Sequence, residues 1–147
     1  MDRPVVELRR ITRAEVDDLL RLWREAGLPH KPRGRDSPES LRRQMEEFPW
    51  GFIGAYDGDR LVGAVIATFD GRKGWINRLA VHPEYRRRGI ASTLVREAER
   101  VLRERGARVI SALIERWNQP SLNLFRKLGY QVAESIVYVR KTDDPDA

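Results

Sequence analysis

The chain has 147 residues, 41% of them hydrophobic, with 28 Lys and Arg against 22 Asp and Glu, a net charge of +6 and no cysteine. That length carries one core of real size and leaves no space for a second, so a single domain over 1–147 and a single site are expected. The lack of cysteine excludes disulfides and thiolate metal ligands, and the two histidines, His30 and His82, have no ligand cluster beside them, so no metal is expected.

Along the chain, Val5 to Ile11 alternates enough for a first strand. Thr12-Arg13-Ala14-Glu15 then has the spacing of a capping box, with Ile11 and Val16 placed as a hydrophobic staple, so a helix should begin there. Val16, Leu19, Leu20 and Trp23 fall at helical spacing, and Gly27 ends the run. Leu28 to Asp36 holds two prolines, a glycine and the potentially cationic His30, Lys31, Arg33 and Arg35, which makes it a basic loop. Ser37-Pro38 is an N-cap followed by proline at the first helical position and opens a second helix to about Phe48. Three meandering strands follow, Gly51 to Tyr56, Arg60 to Phe69 and Gly74 to Val81, joined by the hairpin sequences Asp57-Gly58-Asp59 and Asp70-Gly71-Arg72-Lys73. A helix over Ser92 to Arg105 stops at Gly106, a strand is expected over Ala107 to Ile114, and a short helix over Pro120 to Leu128 closes at Gly129. Tyr130 to Val132 and Ile136 to Arg140 supply the expected last strands before a polar tail, Lys141 to Ala147. No apolar run approaches the ~20 residues of a membrane span, and Met1-Asp2-Arg3-Pro4 lacks the apolar core of a signal peptide, so a cytoplasmic location is expected.

The most informative stretch is Arg86-Arg87-Arg88-Gly89-Ile90-Ala91, which follows the strand run Ile76 to Val81 and leads into a helix. A strand feeding a tight basic turn, with small residues at a helix start, leaves several backbone N–H groups unpaired and pointing one way. Gly89 can take backbone angles that other residues avoid, and Ala91 has too little side chain to block a phosphate. The turn reads as a pyrophosphate site, although a solvated helix N-terminus has the same composition.

The order β-α-α-β-β-β-α-β-α-β-β resembles the GNAT superfamily of N-acetyltransferases. Leu79-Ala80-Val81-His82-Pro83-Glu84-Tyr85-Arg86-Arg87-Arg88-Gly89-Ile90-Ala91 is similar to that family's strand and its (Gln/Arg)-x-x-Gly-x-(Gly/Ala) acetyl-CoA signature. Asn118-Gln119-Pro120-Ser121-Leu122-Asn123-Leu124-Phe125-Arg126-Lys127-Leu128-Gly129-Tyr130 is similar to its Asn-x-x-Ala-x-x-(Phe/Tyr)-(Tyr/Phe)-x-Lys-x-Gly-(Phe/Tyr) segment. The resemblance implies an α/β (α+β) fold with a mixed, mostly antiparallel sheet, splayed between the fourth and fifth strands and flanked by about four helices. It implies acetyl-CoA in the gap, with pantetheine along the backbone of Leu79, Ala80 and Val81, and pyrophosphate on the turn Arg86, Arg87, Arg88, Gly89, Ile90 and Ala91. Asn118 would cap the short helix and touch the pantetheine arm, and the Leu79 N–H would meet the developing oxyanion. The implied activity is acetyl transfer to a primary amine, of a small molecule or a protein, by direct attack in a ternary complex.

Amine acetylation also needs removal of the amine proton and a proton for the leaving thiolate. Many relatives carry a tyrosine where Phe125 stands, so the usual acid is missing here and Phe125 is left to pack against cofactor or core. Strand alternation would place Glu115 on one face with Ser111 and Leu113 near the splay, making it the first candidate base, with Asp70 and Tyr138 behind it. Solvated pairing of Glu115 with Arg116 or another arginine is the plainer explanation of this carboxylate. The resemblance puts Trp75 and Asn77 on the strand bordering the acceptor, and puts the basic loop with Lys31, Arg33 and Arg35 over the acceptor pocket. An acceptor carrying acidic groups fits such a loop, as does ordinary surface charge. The partners expected are therefore acetyl-CoA and an unidentified amine, with no membrane and a monomer or homodimer. Two other classes remain: a catalytically idle acyl-CoA sensor, supported by Phe125, and a nucleic-acid binder, supported by net +6 but lacking any helix-turn-helix or aromatic-basic pattern.

Overall fold

Short apolar strands and amphipathic helices alternate along the chain, and the computed structural model, which describes residues 6–147, assembles the strands into one sheet. These are β1 Glu7–Arg10, β2 Phe52–Asp57, β3 Arg60–Phe69, β4 Gly74–Val81 and β5 Ile110–Ala112, side by side in chain order. Neighbours from β1 to β4 are antiparallel, and β4 and β5 are parallel. Four α-helices accompany the sheet among the described residues: α1 Val16–Glu25, α2 Pro38–Glu47, α3 Ile90–Glu104 and α4 Gln119–Lys127. The expected α/β fold with its mostly antiparallel sheet is the one observed. Val5, expected in the first strand, lies outside the described residues.

Strand alternation sorts apolar side chains to two faces. On one face Leu19, Trp23, Leu41 and Met45 of α1 and α2 pack on Phe52, Tyr56, Ile66 and Ala80. On the other, Leu94, Val95 and Leu102 of α3, with Phe125 of α4, pack on Ile53, Val62, Val65 and Ile76. Each fully buried side chain of this kind contributes roughly 1.5–3 kcal/mol from its removal from water. The helix starts follow their sequence signals. Glu15 accepts the Thr12 N–H at 3.0 Å ahead of α1, and Ser37 Oγ accepts the Ser40 N–H at 3.1 Å ahead of α2.

Two expectations are corrected. The strand expected over Ala107 to Ile114 is only Ile110–Ala112, and its three pairs with β4 end at Ile76 and Ala112. The strands expected over 130–132 and 136–140 do not form: Ile136, Val137, Tyr138 and Val139 are 65 to 84% exposed. β-Branched residues make a strand only where a neighbouring backbone supplies the ladder. Here the segment is tied at both ends to other partners. The Tyr130 hydroxyl donates to Glu99 at 2.5 Å, while Lys31 Nζ donates to the Pro145 carbonyl at 3.3 Å and Arg33 pairs with Asp146 at 3.1 Å.

Candidate active site

The early end of β5 makes a fork. Beyond the Ile76 pair, Asn77 to Val81 keep β3 on one side and have no strand partner on the other among the described residues. Inside this stretch β4 also carries one residue more than β3. Ala80 faces Ala64 and Asn77 faces Ile66, so Arg78 and Leu79 bulge out of the ladder without partners in the register. Arg78 takes a left-handed backbone, φ 55°, to make the bulge. The slip puts Ile76, Leu79 and Val81 together against the α3 side of the core.

After β4 a single 3-10 turn, Pro83–Tyr85, redirects the chain. His82 anchors it: Nδ1 accepts the Glu84 N–H at 3.1 Å and Nε2 lies 3.0 Å from Glu25, so both ring nitrogens are engaged in holding the turn. The Tyr85 hydroxyl donates to Asp57 at 2.5 Å, and the Arg88 guanidinium lies 4.9 Å from the centre of the Tyr85 ring. Arg86 donates to the Ala26 carbonyl at 3.0 Å, at the end of α1. Arg87 and Gly89 are both left-handed, φ 66° and 78°, and Gly89 is the N-cap of α3. The Thr93 N–H makes a helical bond to the Gly89 carbonyl at 3.1 Å, which leaves the amides of Ile90, Ala91 and Ser92 ahead of it at the helix mouth. A Cβ built on Gly89 meets nothing within 4 Å, so the mouth is open. Left-handed residues in a turn that leads into a helix can aim nearby N–H groups to one side, an arrangement that suits an anion through hydrogen bonds and the positive end of the helix dipole.

The structure thus brings Leu79, Ala80 and Val81 on the fork and Arg86 to Ala91 on the turn into one continuous stretch. Several side chains in the turn have other partners: Arg86 is bonded to α1, Arg88 lies over Tyr85, and Ile90 is 3% exposed in the core, so only the Ile90 amide faces the mouth. The open fork edge and the donor-rich turn fit an extended amide arm carrying a diphosphate.

The catalytic candidates fare differently. Glu115 does not share a strand face with Ser111 and Leu113, because β5 ends at Ala112. It lies in the following loop with its side chain exposed and its carbonyl accepting the Asn118 N–H at 2.9 Å. Glu115→Gln is accordingly expected to change kcat/KM by less than twofold in a coenzyme A release assay. Asp70 accepts the amides of Lys73 and Arg72 at 2.8 Å each and the Trp75 indole N–H at 3.1 Å, and those bonds, Lys73 first, pull its pKa down to about 2. Both carboxylate oxygens are thus engaged in holding the hairpin and the Trp75 indole, an arrangement that suits a structural role better than a general base. A depressed carboxyl supports the fold above its unfolded pKa and loses that support as pH falls through the folded value. The Asp70–Lys73 hairpin should therefore loosen between about pH 4 and about pH 2, read as faster amide exchange at Arg72 and Lys73, with Asp70→Asn removing the transition. Tyr138 is 65% exposed in the C-terminal segment, where no described contact ties it to the fork.

Phe125 is 5% exposed and packs edge-on against Tyr130, ring centres 4.9 Å apart. Burial, followed by the hydrogen bond to Glu99, raises the Tyr130 phenol well above its ordinary range, so the hydroxyl beside Phe125 keeps its proton for Glu99. Asn118 caps α4 as expected, Oδ1 accepting the Ser121 N–H at 3.3 Å. Trp75 pairs with Ser111 on the closed side of the fork and its N–H is held by Asp70, whereas Asn77 is the first residue past the closed part. Lys31, Arg33 and Arg35 are exposed on the loop between α1 and α2.

Sequence reading missed Arg78 and Asp36. Arg78 donates to the Pro29 carbonyl at 2.8 Å and to Asp36 at 3.1 Å, and its guanidinium lies 4.6 Å from the Trp23 ring centre. Asp36, 6% exposed, also accepts the Lys31 N–H at 2.8 Å. The one available signal was the pair of consecutive polar residues, Asn77-Arg78, which breaks the strand alternation.

Among the described residues no helix is long and apolar enough to cross a membrane, and no group of three or more His, Cys, Asp or Glu is arranged for a metal ion. Comparison with known proteins matches the Acetyltransferase (GNAT) family over residues 14–130. The chain is 28% identical over 137 residues to an acetyltransferase of Sodalis glossinidius, covering 92% of this chain and 94% of that protein. It is 31% identical over 126 residues to an acetyltransferase of Pectobacterium atrosepticum, covering 86% and 82%. The fold is similar to that of the PaiA N-acetyltransferase from Thermoplasma acidophilum in complex with coenzyme A, with a TM-score of 0.78, 23% identity, and coverage of 88% and 91%.

Proposed function

Since the chain belongs to the acetyltransferase (GNAT) family, we propose that it transfers an acetyl group from acetyl-CoA to a primary amine by direct attack, with both substrates bound. The observation that carries this reading is the fork past Ile76 and Ala112, continuous with the amide-lined mouth of α3. The unpartnered edge of Asn77 to Val81 bonds an extended amide arm as a strand would, and the amides from Arg87 to Ala91 hold a diphosphate. Bound acetyl-CoA supplies an activated thioester carbonyl. The bulged Leu79 N–H donates to the carbonyl oxygen as negative charge gathers there, a role that needs no side chain.

The amine nitrogen forms its bond to the acetyl carbon as the bond to sulfur breaks, and its proton leaves to water. A lysine-like amine with pKa ~10.4 is neutral about once in a thousand encounters at pH 7 to 7.5, so rate should rise with pH through that range. The leaving thiolate, with pKa about 8.5 by analogy with cysteine, is stable enough to depart without a protein acid. That accommodates Phe125.

The acceptor we infer carries acidic groups. Lys31 and Arg33 already receive a carbonyl and a carboxylate from the C-terminal segment, Pro145 and Asp146, so their geometry suits such ligands. Acetylation of an acidic and a basic peptide, each with a free α-amine, should favour the acidic one by about tenfold. Replacing Lys31, Arg33 and Arg35 together by glutamine should erase the preference, and equal rates before and after would remove the loop from the account.

A second reading, an acyl-CoA sensor without turnover, is favoured by Phe125 and by the Tyr130 hydroxyl being tied to Glu99. It predicts acetyl-CoA binding with no amine-dependent coenzyme A release from a pool of amines, whereas the transferase predicts release.

A further inference from the structure

Arg78 combines two conformations that stability alone disfavours. It takes a left-handed backbone that suits glycine or asparagine, and it holds a partly buried guanidinium whose Nε, like the nearby Trp23 Nε1, has no hydrogen-bond partner. A buried ion pair adds little net stability over an apolar pair of similar volume. What this one does is geometric. Its fork spans the Pro29 carbonyl and the Asp36 carboxylate, at 2.8 and 3.1 Å, and lies over the face of Trp23 in α1. Asp36 closes the loop on itself by accepting the Lys31 N–H, and the Asp36 N–H donates to the Lys31 carbonyl at 3.0 Å. One side chain therefore joins the basic loop to the bulge that presents Leu79.

We propose that Arg78 is a positioning residue that clamps the loop from Leu28 to Ser37, through Asp36 and the Pro29 carbonyl, over the Leu79 bulge and so sets the acceptor side of the site. The functional half rests on the acetyl-transfer reading above, and the structural half does not. With the clamp in place Lys31, Arg33 and Arg35 are held at a fixed distance from the fork. Without it the loop keeps its charges and its ties to Pro145 and Asp146 but loses its tether to the bulge, so the acceptor is affected and the cofactor is not.

The test uses the full chain with Arg78→Gly, which keeps the positive φ and deletes the fork, together with Asp36→Asn, the double variant and Arg78→Lys. Hydrogen exchange over 28–37 should quicken at least tenfold at the Lys31 and Asp36 amides in Arg78→Gly, to a similar extent in Asp36→Asn, and no further in the double variant. With an acidic peptide bearing a free α-amine, KM for peptide should rise about tenfold while KM for acetyl-CoA stays within twofold. Arg78→Lys should not restore it, because the single nitrogen of an ammonium lacks the two-armed planar geometry with which separate guanidinium nitrogens reach the Pro29 carbonyl and Asp36. Unchanged exchange over 28–37, additive effects of the two single variants, or an equal rise in both KM values would overturn the clamp. If Arg78→Gly does not fold because it strands the Asp36 carboxylate, Asp36→Asn and the double variant read the same exchange. Absence of turnover with the peptide would count against the proposed acceptor, while the exchange measurement still decides the clamp.

Discussion

Gly89→Val should lower kcat/KM for acetyl-CoA by about a hundredfold and leave a folded protein. Gly89 sits at φ 78°, where an L residue costs ~1–2 kcal/mol and a β-branched one lies at the upper end. Because a Cβ there meets no protein atom within 4 Å, the substitution causes no internal clash. The new side chain stands at the helix mouth, beside the amides of Ile90 and Ala91 that the proposed function gives to the diphosphate. The strain is carried by free and bound protein alike and shows in stability, whereas the bulk in front of the amides opposes the diphosphate by about 3 kcal/mol, or about two powers of ten in affinity. The effect should appear as a raised KM for acetyl-CoA and a raised dissociation constant for coenzyme A, with the melting temperature lowered by only a few degrees. An unchanged constant would mean that the diphosphate is held elsewhere.

Leu79→Pro should reduce kcat by a hundredfold to a thousandfold while coenzyme A still binds. Proline deletes the one group that the account assigns to the acyl oxygen, and losing a single donor of this kind costs a factor of that order. The ladder loses little, because Leu79 and Arg78 are the bulged pair with no partner on β3. The Leu79 side chain packs at the edge of the α3 side of the core, so part of its apolar contact is lost and some thermal destabilisation accompanies the change. The discriminating comparison is therefore between turnover and binding of coenzyme A in the same preparation. Loss of both to the same degree would point to a collapsed fork; loss of neither would remove Leu79 from the chemistry.

Elements set by local periodicity and capping could be read from the chain. Thr12 to Glu15, Ser37-Pro38, Gly106 and Gly129 mark boundaries that the structure reproduces closely, because caps and stops act through near neighbours. The turn from Arg86 to Ala91 was legible for the same reason. Features that depend on distant backbone were less so. Where β5 stops depends on how far it can follow β4, and Ile110 to Ile114 reads as a longer strand than the three residues that pair. Ile136 to Val139 has strong strand propensity, yet propensity cannot show whether an edge is on offer. Glu115 was misplaced through the first of these effects, since its expected face existed only on a strand that continued. The Arg78 to Asp36 clamp joins residues 42 apart in sequence, a pairing that spacing within one element cannot reveal.

The most direct measurement is calorimetric titration of the full chain with coenzyme A and, in parallel, with pantetheine, which shares the amide arm but lacks the diphosphate. Cooperation of the fork with the α3 mouth predicts saturable binding of coenzyme A and at least a hundredfold weaker binding of pantetheine. Equal affinities, or no heat and no competition with either ligand on folded protein, would contradict it.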